Sequence, residues 1–161
     1  MNPIRKSRLA LVLQVGVVLL GMGTLALLLW EPHVEGRNVR ASAFGIYFED
    51  PFLAYAYIGS IPFFVALHRA FQLLGDVRRK GAFSQTTVDG LRAIRKCAIA
   101  TIGFIAGGAI ILLMFGDKED RPPGVLMCVL FTSAASVAAI MSAMLARKLQ
   151  QTLEQPEGSR D

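Results

Sequence analysis

The sequence predicts an all-α, polytopic membrane protein, a four-transmembrane-helix bundle with an amphipathic cytoplasmic helix leading into the third span. Three observations carry that expectation. Hydrophobic residues make up 53% of the 161 residues and charged residues 18%, and the apolar residues gather into long blocks without strand or surface-helix periodicity. Four blocks, at about 9–30, 52–74, 97–116 and 125–146, are each long enough for a bilayer core that takes about 20 apolar residues in a helix. The charges between the blocks are sorted by side.

The first block runs from Leu9 to Trp30 without a charge, interrupted only by Gln14 and Thr24. Arg5, Lys6 and Arg8 before it resemble the basic start of a signal peptide. The run exceeds the roughly 7–15 residues of a signal core, and the nearest small-x-small site, Ala41-Ser42-Ala43, lies well past its end. A retained span is the expectation. With the N-terminus inside, all but Arg37, Arg40, Lys118 and Arg121 of the 17 Lys and Arg residues fall on the cytoplasmic side. The outer loops hold Glu31, Glu35, Glu49, Asp50, Asp117, Glu119 and Asp120 instead. This sorting follows the positive-inside rule, so both termini are expected in the cytoplasm of a bacterial inner membrane. Trp30, Tyr47, Tyr55 and Tyr57 cluster toward the opposite side, where amphipathic rings favour the headgroup zone.

The outer loop 31–51 carries Pro32, Gly36 and Gly45 among apolar Phe44, Ile46 and Phe48, and is expected to lie back on the membrane. The second block is apolar until His68-Arg69 and contains Pro62, which is expected to kink its helix or loosen one hydrogen bond. A short outer turn at 117–124 makes spans three and four a hairpin. Residues 1–149 read as one membrane domain and 150–161 as a flexible cytoplasmic tail.

Small residues recur in the second half. Gly103-x-x-x-Gly107 lies in span three, and Ser133, Ala134, Ala135, Ser136, Ala138, Ala139, Ser142 and Ala143 lie in span four. Such spacing lets helix backbones approach closely. It reads either as packing between spans three and four or as a homo-oligomer interface.

The central loop, Leu73 to Ala100, is the most specific stretch. It predicts a helix end, a turn at Gly81, and a new helix capped by the Ser84 side chain, with Phe83 stapled against Val88. Val88, Leu91, Ile94 and Ala98 then share one apolar face, while Arg92, Arg95 and Lys96 occupy others. At Leu73-Leu74, Lys80-Gly81, Phe83-Ser84, Val88, Leu91, Ile94 and Cys97-Ala98-Ile99 the chain resembles a bacterial family of small membrane proteins, domain of unknown function 2975. The resemblance implies a four-span protein with no assigned activity, no catalytic residues to carry over, and a role beside small helix-turn-helix regulators.

Other chemistries are argued against. Cys97 and Cys128 fall in opposite leaflets of the expected topology, too far apart for a disulfide. His33 and His68 have no ligand-spaced partner. The spans lack Asp, Glu and Lys, the usual marks of ion pathways. No phosphate loop, dinucleotide fingerprint or nucleophile elbow is present. The basic balance of +5 has a membrane explanation and requires no nucleic acid. His68 and Arg69 read either as a snorkelling pair or as contacts to an anionic lipid head or a partner. The expectation is a non-enzymatic protein without metal or cofactor, bound to the bilayer. It would dock another protein through the loop at Lys80, Gly81, Phe83, Ser84 and Leu91. The alternative is an oligomeric channel or transporter subunit assembled through Gly103 and Gly107.

Overall fold

The computed structural model describes the backbone of residues 3–34, 51–80, 84–115 and 121–154, and the side chains of 8–30, 54–79, 84–115 and 121–154. Four helices follow in order, α1 (Pro3–Val34), α2 (Pro51–Lys80), α3 (Gln85–Phe115) and α4 (Arg121–Glu154). Each is long and apolar enough to cross a membrane, and the described residues contain no strand. Residues 31–34, expected to open the outer loop, continue α1 as helix, and residues 35–50, Tyr47 among them, and the turn at 116–120 lie outside the described residues. So do Gly81, Phe83 and residues 155–161. Residues 150–154, expected to open the tail, continue α4 as helix.

Each helix packs on its neighbour in sequence: α1 on α2, α2 on α3, α3 on α4. Among the described residues, no other pair builds an extended interface. Most large apolar side chains, Leu27, Phe131 and Ile140 among them, are exposed. That is the pattern for helices whose solvent is lipid, where apolar side chains gain nothing by hiding from hydrocarbon.

Two hydrogen bonds set the register of α1 on α2. Gln14 Nε2 donates to the Phe71 carbonyl at 3.2 Å, and the Tyr57 hydroxyl donates to the Leu28 carbonyl at 2.8 Å. The spacing between the bonds is the same along both helices, so the two run antiparallel without slipping. The second bond has a cause in the sequence. Helical bonding would supply the Leu28 carbonyl from the N–H four residues on, but that residue is Pro32, inside α1, and proline has none. Tyr57 fills the place, as an apolar surrounding requires. Replacing Tyr57 by Phe is expected to orphan this carbonyl and cost about 1–3 kcal/mol, read as a lowered unfolding temperature in detergent.

The α2–α3 interface is built on glycine. A Cβ at Gly107 would fall on the Tyr55 hydroxyl, and one at Gly59 would press on the Phe104 side chain at 3.3 Å. Tyr55 uses the gap to donate its hydroxyl to the Phe104 carbonyl at 2.8 Å, with the two rings tilted at a 5.7 Å centroid distance. Tyr55 and Tyr57 are part-buried clasps between helices, and Trp30 is left exposed, at 74%. One expectation is corrected. Gly107 makes room for α2, not α4, and nothing lies within 4 Å of a Cβ at Gly103. The close approach of α3 to α4 occurs at Gly124, against Leu112. Pro62 stands inside α2, which stays helical on either side of it.

Candidate functional site

The fully packed part of the molecule lies at its basic end, where α2 stops and α3 starts. Ser84 opens α3: its carbonyl accepts from the amides of Thr87 at 2.8 Å and Val88 at 3.4 Å. The expected cap from the Ser84 side chain is replaced by its reciprocal. The Thr87 hydroxyl accepts from the Ser84 amide at 3.4 Å, the returning arm of a capping box. The expected staple cannot be placed, because Phe83 is outside the described residues.

The predicted apolar face of α3 is real. Val88, Leu91 and Ala98 are buried, Val88 at 0% exposure, and Ile94 is half-buried. Val88 and Leu91 form a cluster with Ala146 of α4, and Leu73 of α2 and Leu149 of α4 pack against it. Gly90 keeps α2 close, since a Cβ there would meet Leu73 at 3.2 Å. Three helices therefore converge on one apolar centre.

That centre sits at the charged ends of the apolar blocks. Val88 and Leu91 precede Lys96, and Leu149 follows Arg147-Lys148. From Gln85 to Lys96, α3 rises roughly 18 Å before its uncharged run begins. Burying apolar side chains is favourable where the alternative is water or headgroups, as it is not in the hydrocarbon. This explains why the buried cluster is here and not mid-membrane.

A polar rim surrounds the centre. Arg92 bridges α3 to α4 by donating to Gln150 Oε1 at 2.5 Å, and Gln150 Nε2 donates to Glu154 Oε1 at 2.7 Å. Its ion pair with Asp89, at 3.4 Å between exposed side chains, contributes little. Arg95, Lys96, Arg147 and Lys148 are exposed. Their side chains enter no hydrogen bond or ion pair among the described residues.

The remaining sequence candidates are placed as follows. Lys80 is the last residue of α2. Leu91 and Ser84 belong to the junction, and Gly81 and Phe83 fall in the undescribed connection. His68 and Arg69 are exposed and share Gln72 one turn on: its amide nitrogen lies 2.9 Å from His68 Nε2, and Arg69 donates to its oxygen at 3.4 Å. Neither joins the junction. Leu73, Thr87, Ala146, Leu149 and Gln150 were not expected there. The spacing Ser142, Ala146, Leu149 marks a packed face on α4, but the charges Arg147-Lys148 made it look like a helix end. Among the described residues no group of three His, Cys, Asp or Glu is placed to hold a metal, and both cysteines are free.

The model of proteins of unknown function named DUF2975 matches residues 28–155, which take in α2, α3, α4 and the whole junction. The chain belongs to the DUF2975 family. It is also 28% identical over 143 residues to the uncharacterized membrane protein YoaS of Bacillus subtilis strain 168, covering 88% of this chain and 89% of that one. No solved structure matches it. The DUF2975 match begins near the end of α1, so the apolar centre and its basic rim fall within the family's shared portion.

Proposed function

We propose that this DUF2975 protein is a non-enzymatic membrane tether whose α2–α3–α4 junction docks an acidic surface of a protein partner at the cytoplasmic face of the inner membrane. One observation carries the reading: a packed apolar centre lies at the basic ends of α2, α3 and α4, flanked by exposed cations whose side chains enter no hydrogen bond or ion pair among the described residues. A rigid mount loses little conformational freedom on binding, which favours recognition by complementary charge. The excess of Lys and Arg at this end supports the cytoplasmic placement. The family resemblance suggests a small helix-turn-helix regulator as the partner.

The test is a tagged pull-down from native membranes, comparing the natural chain with Arg95→Gln, Lys96→Gln and Arg147→Gln combined. Glutamine removes charge without adding acid, which limits disturbance of the orientation signal. A soluble protein that co-purifies with the natural chain and is lost from the variant is the expected result. Identical protein sets from both would refute the docking role. A second reading, an oligomeric channel or transporter subunit, rests on Gly103, which is exposed with open space at its Cβ position. Ion flux in reconstituted vesicles that Gly103→Leu abolishes would establish it instead.

A further inference from the structure

We infer that the cleft between α1 and α2 at the basic end binds an anionic glycerophospholipid of the phosphatidylglycerol kind. The cleft holds about 780 Å³ and is lined by Gln14, Phe71, Gln72, Gly75, Asp76, Arg78 and Arg79. A second hollow of about 260 Å³ adjoins it, sharing Gln14 and Phe71 and otherwise lined by Leu11, Val15, Val18 and Leu19. The first mixes polar and apolar lining, carries the charged groups, and lies toward the charged end of α2. The second is apolar except for Gln14 and runs along α1 toward the middle of its uncharged stretch. A charged hollow beside an apolar one, with Gln14 and Phe71 lining both, has the layout of a lipid: head, then acyl chain.

The lining specifies which head. Arg78 and Arg79 are exposed, and neither takes part in a hydrogen bond or ion pair among the described residues. Guanidinium groups are suited to phosphate. Asp76 is the acid in the cleft, so the three charges leave one positive unit, matching a lipid with a single net negative charge. A carboxylate there repels a bare phosphate but accepts from a hydroxyl, and a glycerol head carries hydroxyls. The Gln72 amide also faces the chamber, although its group is shared with His68 and Arg69. Gln14 is held in place by its bond to the Phe71 carbonyl. Gly75 makes that bond possible, since a Cβ would stand 3.1 Å from Gln14 Nε2. Basic pockets between membrane helices are known stations for anionic head groups. This cleft is separate from the α3–α4 rim of the proposed docking site, so the two readings stand or fall independently.

The full chain, reconstituted in vesicles of equal phosphatidylglycerol and phosphatidylcholine and then extracted in detergent, is examined by native mass spectrometry. Phosphatidylglycerol is expected to be retained over phosphatidylcholine by roughly tenfold or more, given two arginines near the surface. Arg78→Gln with Arg79→Gln should bring the two lipids to parity. Val15→Trp, which fills the groove and leaves both arginines, should also lower retention of phosphatidylglycerol. All three side chains are exposed, so no packed contact is removed. Parity in the natural chain, or an undiminished preference in either variant, overturns the site. Displacement of the lipid by millimolar inorganic phosphate overturns it as well, because the chamber would then read a free anion.

Discussion

Val88→Asp should unfold the basic-end junction while leaving the protein in the membrane. Val88 has no exposed surface and packs with Leu91 and Ala146. A carboxylate there would be buried without a partner, a change in the class that costs about 3–5 kcal/mol. The spans are held by lipid and by their own backbone bonding, so insertion is expected to persist. The loss should therefore be local. Arg92, Arg95 and Lys96 offer trypsin its sites on the adjoining turns. Cleavage there in inverted vesicles should accelerate by roughly 10²–10⁴-fold if it follows the open population. A rate within a few-fold of the natural chain would mean that this centre does not hold the junction together.

Gly107→Ala should destabilise the α2–α3 interface, and Tyr55→Phe should remove most of that cost. In the natural chain the added methyl meets the Tyr55 hydroxyl. Either that group leaves the Phe104 carbonyl, to which it donates at 2.8 Å, or the helices part. Overpacking of this kind costs about 1–3 kcal/mol. Without the hydroxyl, the nearest ring atom stands 3.4 Å from the Cβ position, an ordinary contact. Alanine then brings only its better helical propensity, about 0.5–1 kcal/mol over glycine. The double-mutant cycle should thus show a coupling of about 1–3 kcal/mol, read from unfolding temperatures in detergent. Gly103→Ala is the matched control, because its Cβ would meet open space. Equal costs of Gly107→Ala in both backgrounds would remove Tyr55 as the cause.

The spans were legible because length and charge are read directly from the residues. The first turns of α3 were legible for a related reason: Val88, Leu91 and Ala98 keep helical spacing beside a capping signal. What was not legible is who packs against whom. Gly103 and Gly107 advertise close approach, but spacing does not name the neighbour. One turned out to face a tyrosine of α2 and the other open space. Tyr55 and Tyr57 lie near the aromatic end as expected, yet ring composition does not reveal where a hydroxyl points. For Tyr57 the missing information was present four residues beyond Leu28, in Pro32. It became readable only once Leu28 and Tyr57 were known to be opposite each other. Ala146 and Leu149 were hidden by the two charges between them, which in a span-by-span reading mark an end. In α4 the helix instead runs on through them and packs Ala146 and Leu149 at the same centre.

The docking role depends on the junction standing outside the hydrocarbon on the cytoplasmic side. The most direct measurement is thiol accessibility of Gln85→Cys, an exposed first-turn position of α3, with Cys97 and Cys128 replaced by Ala. A membrane-impermeant maleimide should leave intact cells unlabelled and label inverted vesicles fully. Labelling in intact cells would place the junction on the wrong face and contradict the account.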